Sequence, residues 1–193
     1  EPPRGPETTL SGVVERILWL DEETHFTIAE LAPEAGEKVI ILGNMTGLQC
    51  GETVDVTGHW ERHPSHGPQL RVRTFSSRLP SSVHGIRKYL GSGLIKGIGK
   101  TYADKIVAKF GVRTFDIISN QSGRLREVDG IGPGRAKAIK AAWDDQKALR
   151  EVMVFLQTYG VTNALCIRIV KAYGQDAKNV LTSEPYRVCR EVE

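Results

Sequence analysis

One nine-residue phrase occurs twice in this chain of 193 residues, and the two copies start thirty-three positions apart. It reads Ile95-Lys-Gly-Ile-Gly-Lys-Thr-Tyr-Ala103 in the first copy and Val128-Asp-Gly-Ile-Gly-Pro-Gly-Arg-Ala136 in the second. The apolar positions that follow repeat as well, because Ile106 returns as Ile139. A repeat at this spacing indicates a repeated structural unit. Part of the chain is therefore predicted to contain two copies of one supersecondary motif.

Each copy predicts a tight hairpin that leads directly into a helix. Glycine allows the backbone angles of such a turn and leaves the main chain uncovered, while Ile98 and Ile131 are predicted to anchor the two hairpins in the core. Exposed amides beside a helix N-terminus suit an anion. The pattern resembles a tandem helix-hairpin-helix DNA-binding unit. The alternative is a plain turn between packed helices, which the second copy and its basic neighbours disfavour.

The predicted phosphate-binding residues are the hairpin glycines and the cations beside them. They are Gly97, Gly99, Lys100, Lys105, Gly130, Gly132, Gly134, Arg135 and Lys137. Gly99-Lys100-Thr101 also ends like a nucleotide-binding P-loop, but that motif requires a glycine at the position of Leu94. We therefore predict no ATP site and no catalytic residues, so this chain by itself is predicted not to be an enzyme.

Charge divides the chain into two parts. Residues 1–80 contain 7 Lys and Arg against 12 Asp and Glu, a net charge of −5, whereas residues 81–193 contain 19 against 11, a net charge of +8. The positive part is the one that contains the hairpins, as expected of a domain that meets phosphates. A charged, solvated surface is the alternative explanation of the excess.

The acidic part is predicted to be a small β-barrel over residues 8–78, after a polar tail at 1–7. Stretches rich in β-branched or aromatic residues, separated by turn signals, predict strands at 9–20, 25–32, 38–42, 53–60 and 69–75. Five strands in about 70 residues favour an OB-fold, with an SH3-like barrel as the alternative.

Aromatic side chains of the barrel are candidates for stacking on nucleic-acid bases. They are Trp19, Phe26, Trp60 and Phe75, accompanied by Arg62, Arg71 and Arg73. The negative charge of this domain favours core packing for most of them. No Cys or carboxylate in the sequence pattern completes a metal site with His59, His63 and His66. A solvated loop is favoured for these histidines, and no metal is predicted.

After a linker at 79–85, residues 86–193 are predicted to be helical. The spacing of apolar residues predicts helices over 86–94, 102–110, 115–119, 124–128 and 135 to about 145. Gly111 is predicted to follow the second of these helices as its C′ residue.

A third, degenerate copy of the hairpin is predicted at Gly160-Val161-Thr162. It emerges when Phe110-Gly111 is aligned with Tyr173-Gly174. Because Thr162 replaces the second glycine, this copy is interpreted as structural.

Cys50, Cys166 and Cys189 are odd in number and have no paired spacing. They predict neither a disulfide framework nor a zinc site. The chain also lacks an apolar run of the roughly 18 residues that a membrane span requires. A cytoplasmic protein without a membrane partner is therefore expected.

The order of these elements resembles the N-terminal region of the long RecD-like DNA helicases of superfamily 1, often called exodeoxyribonuclease V alpha subunits. The resemblance rests on the barrel followed by the runs Tyr89 to Gly99, Val128 to Gly132, Tyr159 to Thr162 and Pro185-Tyr186. It implies an α+β multidomain chain, with an OB-like barrel and an all-α tandem helix-hairpin-helix domain. It also implies a parent ATP-dependent 5′-to-3′ DNA helicase, whose motor domains hold ATP and Mg²⁺. The chain is expected to be a fragment that stops before those domains.

Two functions follow from the residues and the resemblance together. The first is an accessory DNA-binding region for repair or recombination, which grips the backbone of single-stranded or junction DNA without sequence specificity. The alternative is a protein-interaction or regulatory module whose barrel docks a repair or replication partner. No cofactor is expected in this chain, and a monovalent cation at a hairpin is left as an open alternative.

Overall fold

The computed structural model describes residues 6–21, 23–159, 161 and 163–191. Its first part is a closed barrel of five strands in the order β1-β2-β3-β5-β4. The strands are β1 (Glu7–Leu20), β2 (Phe26–Pro33), β3 (Val39–Asn44), β4 (Thr53–His63) and β5 (Gly67–Arg78). All paired strands are antiparallel except β3 and β5. The predicted five-stranded barrel is thus confirmed.

Alternation of apolar residues builds the barrel core. In β4, Val54, Val56 and Gly58 are buried, while the residues between them are partly exposed. Because successive side chains of a strand point to opposite faces, one row lies inside the barrel. Each fully buried Val, Leu or Ile side chain contributes about 1.5–3 kcal/mol relative to exposure. The core residues are Val14, Ala29, Leu31, Ile41, Met45, Leu48, Val54, Val56 and Leu70.

Helices follow the barrel. They are α1 (Val83–Gly91), α2 (Lys100–Phe110), α3 (Thr114–Asn120), α4 (Pro133–Thr158), α5 (Asn163–Tyr173), α6 (Ala177–Ser183) and α7 (Pro185–Glu191). Short 3-10 helices occupy Gly111–Arg113, Ser122–Glu127 and Gly174–Asp176. The first hairpin precedes α2, and the second precedes α4. Among the described residues, no helix is both long and apolar enough to cross a membrane.

Helix α1 begins at Val83, inside the predicted linker at 79–85. The reason is local, because the Ser82 hydroxyl accepts a hydrogen bond from the Gly85 N–H at 3.1 Å and caps the helix. The connection between barrel and helices is therefore shorter than predicted, and it covers residues 79–82.

Helix α4 departs most from the prediction, because it continues to Thr158 instead of ending near Asp145. The added residues contain no Gly or Pro and include the strong helix formers Gln, Lys, Ala, Leu and Arg. The extension brings α4 to the barrel, where Met153 lies beside Gly47: a Cβ atom on that glycine would be 3.3 Å from the Met153 methyl carbon.

The helical units themselves repeat with an offset of sixty-three residues. Helix α2, the following 3-10 helix and α3 return as α5, a second 3-10 helix and α6. Gly111 and Gly174 open the two 3-10 helices with the same φ of 56°, a value that favours glycine just after a helix. Of the predicted third hairpin, Gly160 and Thr162 lie outside the described residues.

The barrel and the helices meet at the loop between β3 and β4. A Cβ atom on Gly51 would lie 2.2 Å from the Gly85 carbonyl oxygen and 2.4 Å from the Tyr89 nitrogen. Next to it, the Glu52 carboxylate is 1% exposed and accepts a hydrogen bond from the Arg150 guanidinium of α4. Burial raises the pKa of the Glu52 carboxyl above its ordinary value, although Arg150 acts in the opposite direction. The two parts of the chain therefore share a closely packed interface.

We expect Arg150→Met to lower the free energy of unfolding at pH 7 by about 2 kcal/mol, because the Glu52 carboxylate stays buried without its cation. The loss is below that of a fully buried pair, since the Arg150 side chain is 29% exposed. Without the cation, the folded-state pKa of Glu52 rises further above its unfolded value, so the loss shrinks as the pH falls from 7 towards 5. Urea unfolding at both pH values measures this. Adding Glu52→Gln to Arg150→Met should abolish the pH effect. A loss of stability that is the same at both pH values would show that the buried Glu52 carboxylate is not its cause.

Candidate nucleic-acid interface

The first hairpin turns between two buried isoleucines. The Ile98 N–H donates to the Ile95 carbonyl oxygen at 3.1 Å, and Gly97 between them has a φ of 95°, which would strain any side chain. The Gly99 carbonyl oxygen then accepts from the Ala103 N–H at 2.9 Å, the first bond of α2. The isoleucines face the core, while Gly97 and Gly99 are exposed.

The second hairpin has the same geometry thirty-three residues later. The Ile131 N–H donates to the Val128 carbonyl oxygen at 3.0 Å, and Gly130 has a φ of 85°. The Gly132 carbonyl oxygen accepts from the Ala136 N–H at 3.0 Å, which opens α4. The sequence repeat is therefore a repeat of backbone hydrogen bonds.

Neither packing nor turn geometry explains the glycines at the helix starts. The φ of Gly99 is −96°, which any residue adopts, and a Cβ atom on Gly99, Gly132 or Gly134 would contact nothing within 4 Å. Many helices place a side-chain oxygen at the N-cap to satisfy their first amides, yet Gly99 supplies none. The first turns of α2 and α4 contain no acidic residue. Both helices thus leave backbone amides uncovered at their positive ends, although the first residue of α4, Pro133, has no N–H to donate.

Lysines with no ion pair among the described residues surround the hairpins. Lys96, Lys100 and Lys137 are exposed. Lys105 differs, because its ammonium lies 3.5 Å from the carboxylate of Asp129. That pair is weak, since the Asp129 side chain is 98% exposed. Asp129 occupies the position equivalent to Lys96 in the repeat, so the first hairpin is the more positive of the two.

Arg135 connects the two copies of the motif. Its Nη1 donates to the Gly130 carbonyl oxygen at 3.0 Å and to the Tyr102 hydroxyl, and its guanidinium lies 4.5 Å from the centre of the Tyr102 ring. Tyr102 and Arg135 are equivalent residues of the repeat. The sequence placed Arg135 among the phosphate ligands and did not identify Tyr102. The structure uses one guanidinium nitrogen of Arg135 internally, so its other donors remain for an external acceptor.

The barrel exposes aromatic residues for which core packing was predicted. Trp19 is 50% exposed and Trp60 is 38% exposed, and Trp19 packs edge-on against Phe26 with ring centres 6.1 Å apart. Leu18 and Leu20 beside Trp19 are each 47% exposed. At this end β1 is paired with β2 and not with β4, and its side chains are about half exposed. Core packing was favoured for most of the barrel aromatics, and the two tryptophans depart from it.

Basic residues of the barrel lie beside its own carboxylates. The pairs are Arg16 with Glu30, Lys38 with Glu30, Arg71 with Glu61, Arg73 with Glu7, and Arg78 with Asp55. Among the described residues, Arg62 has no ion pair. Phe75 packs against the barrel core. The predicted stacking surface thus has most of its cations neutralised and attracts phosphate weakly.

The histidines and cysteines form no metal site in the described part of the chain. His63 and His66 stack with ring centres 4.7 Å apart in the turn between β4 and β5. No group of three or more potential metal ligands occurs among the described residues. Cys50 and Cys166 are free thiols. The side chain of Cys189 lies outside the described residues.

Family models match three consecutive parts of the chain. Residues 7–80 match the OB-fold domain of ATP-dependent DNA helicase YrrC. Residues 92–145 match a SAM-like helix-hairpin-helix tandem, and residues 145–193 match the helix-hairpin-helix domain of ATP-dependent RecD2 DNA helicase. The protein is thus an OB-fold barrel followed by helix-hairpin-helix units, and the SH3-like alternative is set aside.

The chain is 29% identical over 182 residues to the ATP-dependent RecD2 DNA helicase of Deinococcus radiodurans, a match that covers 91% of this chain and 25% of that protein. It therefore spans about a quarter of the length of this curated relative. Together, these matches confirm that the chain has the OB-fold and helix-hairpin-helix arrangement of the N-terminal region of RecD-like helicases. The crystal structure of the S. pombe Stn1-ten1 complex also matches, with 12% identity over 37% of this chain and 57% of that chain, but its TM-score of 0.32 supports no argument.

Proposed function

We propose that this chain is a DNA-binding accessory region of an ATP-dependent 5′-to-3′ DNA helicase that acts in repair or recombination in the cytoplasm. Its hairpins hold the backbone of single-stranded or junction DNA. The observation that carries the proposal is the pair of uncovered helix starts at Gly99 and Gly132, flanked by lysines that form no ion pair within the described part of the chain. Because backbone contacts carry no sequence information, the binding is nonspecific.

A plain turn between packed helices would not select these residues. Gly97 and Gly130 are explained by their positive φ alone. Gly99 and Gly132 have no such reason, because a side chain at either position would meet open space. A ligand that approaches the backbone closely does supply a reason, since any side chain there would stand in its way.

The predicted residues contribute unequally to the proposed DNA contacts. Lys100 and Lys137 supply unpaired charge, whereas Lys105 and Arg135 also serve contacts within the protein. In this proposal DNA binding by the chain requires neither nucleotide nor metal. ATP and Mg²⁺ act in motor domains elsewhere in the parent protein, and a monovalent cation at a hairpin stays an open alternative.

The direct test is a titration of a fluorescent oligothymidylate with this chain, followed by anisotropy at several NaCl concentrations. With three unpaired lysines in contact, log K should fall against log salt with a slope of about −2 or steeper. Binding that does not depend on salt, or no binding, would rule the proposal out.

Replacing Gly99 by valine should weaken DNA binding about tenfold, the loss expected when one hydrogen bond to a charged group is blocked. The salt slope should stay unchanged because no charge is removed. The fold should tolerate the change, since the site is open and has an ordinary φ. Gly123→Val, at another open glycine, is the control and should bind like the parent. Parental affinity of Gly99→Val would show that this backbone does not touch DNA.

A protein-docking barrel is the second candidate function. It is favoured by the exposed apolar run Leu18, Trp19 and Leu20 and by the ion pairs that neutralise cations of the barrel. Loss of DNA binding in Trp19→Ser would contradict a division of roles in which the hairpins bind DNA and the barrel binds a protein. Unchanged DNA affinity in that variant would leave the apolar run to a protein partner.

A further inference from the structure

A cavity of about 280 Å³ lies between the barrel and the start of α2, beside the first hairpin. Its walls come from β1, the loop between β3 and β4, α1 and α2. The charged or titratable residues that line it are Glu15, Cys50, His84, Arg87, Lys88, Lys100 and Asp104. Of the hairpin residues predicted to bind phosphate, Lys100 also lines this cavity.

The carboxylate of Glu15 is neutralised inside the protein. It is 8% exposed, and its oxygens lie 2.6 Å from Nε2 of His84, 3.1 Å from Nζ of Lys88 and 3.9 Å from Nζ of Lys38. Burial alone would raise the pKa of Glu15, but the hydrogen bonds and charges of His84 and Lys88 outweigh it and hold the pKa below its ordinary value. Glu15 therefore orders the cations around it and presents little negative charge to a ligand.

The remaining charges leave the cavity positive. Arg87 lies 3.4 Å from Asp104, and the two side chains are 47% and 49% exposed, so water screens this pair. Lys100 has no ion pair among the described residues. The charge of Lys88 balances that of Glu15, and the charge of Arg87 balances that of Asp104, so the cavity keeps the positive charge of Lys100.

The cavity is continuous with the first hairpin. Lys100 lines the cavity and is also the first residue of α2. At the end of α1, Gly91 packs close to it, because a Cβ atom there would lie 3.6 Å from the Lys100 Cα. The cavity therefore opens beside the residue that directly follows the first hairpin.

We propose that this cavity binds the neighbouring backbone phosphate of the strand held at the first hairpin. Arg87 and Lys100 are its ligands, and the site directs the strand from the hairpin along α1 towards the barrel. A phosphodiester fits because it only accepts hydrogen bonds, and both side chains only donate. This inference rests on the proposed DNA-binding function.

Cys50 provides a direct test, because its thiol is free, partly exposed and part of the cavity wall. An oligothymidylate of about 15 nucleotides, at ten times its Kd, should slow N-ethylmaleimide alkylation of Cys50 about tenfold, in proportion to 1 + [L]/Kd. Peptide mass spectrometry resolves the individual thiols. Ser65→Cys places a control thiol in the exposed β4–β5 turn, outside the cavity, and its rate should not change.

The outcomes separate the two proposals. DNA binding by anisotropy with Cys50 reacting at its free rate overturns the cavity site and leaves the hairpin function standing. Absence of DNA binding overturns the hairpin function and the cavity site with it. Equal protection of Cys50 and of the Ser65→Cys thiol would mean general shielding and would also overturn the cavity site.

A pair of charge variants tests the ligand assignment. Arg87→Gln should weaken binding about sixfold in 0.1 M salt and make the salt slope shallower by about 0.7 to 0.9. Arg113→Gln is the matched control, because Arg113 also faces an aspartate and lies beyond the far end of α2, about 16 Å from its start. An equal effect of both variants would show that only net charge matters and would refute the assigned ligands.

Discussion

Alanine at Gly51 is expected to lower the free energy of unfolding by more than about 3 kcal/mol, a loss that few single substitutions reach. The added Cβ atom would lie 2.2 Å from the Gly85 carbonyl oxygen and 2.4 Å from the Tyr89 nitrogen. Both are backbone atoms of α1, so no side-chain rotation relieves the clash. The φ of 84° at Gly51 adds strain. Urea unfolding followed by circular dichroism measures the loss.

Gly36→Ala is the matched control for this prediction. Gly36 has a φ of 104°, but a Cβ atom there would meet nothing within 4 Å. Gly36→Ala should therefore lower the free energy of unfolding only by the backbone strain, about 1–2 kcal/mol. If Gly51→Ala costs no more than this control, the barrel loop does not pack on α1 as described.

Replacing Lys96, Lys100 and Lys137 together by glutamine is expected to weaken DNA binding more than about 100-fold in 0.1 M salt. Each of these lysines is exposed and free of ion pairs among the described residues, so its charge is available to phosphate. Loss of three contacts should also make the slope of log K against log salt shallower by about 2 to 3. Anisotropy titrations over a range of NaCl concentrations give both quantities.

A second triple variant controls for net charge. Lys109, Arg113 and Arg124 carry the same total charge, but each lies within 4.0 Å of a carboxylate. Their replacement by glutamine should change affinity much less, since Lys109 and Arg113 lie at the end of α2 away from the first hairpin and Arg124 packs on Phe110 at that same end. Equal losses in the two triple variants would mean that the positive field as a whole, and not the hairpins, attracts DNA. Circular dichroism should show an intact fold for both.

Gly99→Val blocks the close approach of DNA to the backbone, whereas the lysine variants remove positive charge. The two kinds of variant therefore test separate contributions to DNA affinity. If the chain binds DNA weakly and neither kind of variant changes the affinity, the docking role of the exposed residues Leu18, Trp19 and Leu20 is favoured.

Local patterns in the sequence were enough to predict the barrel strands and the two hairpins. Alternation marked β4 through Val54 and Val56, and the repeated Gly-Ile-Gly phrase marked turns whose hydrogen bonds match within 0.1 Å, at 3.1 and 3.0 Å. Such features depend on residues a few positions apart, and φ preferences and side-chain period act over that range. The start of α1 and the length of α4 were missed, although the Ser82 cap and the run of helix formers after Asp145 are also local signals.

Tertiary structure alone decided which of the predicted residues remain available to a ligand. Arg150 reaches Glu52 across 98 positions of sequence, and Arg135 reaches Tyr102 across 33. Trp19 is exposed because β1 runs past the part of the barrel that β4 covers. Contacts of this kind depend on which faces pack together and not on the residues beside them in the chain. The sequence by itself thus determined the hairpins and their glycines, while only packing determined that Lys100 stands between a hairpin and a cavity.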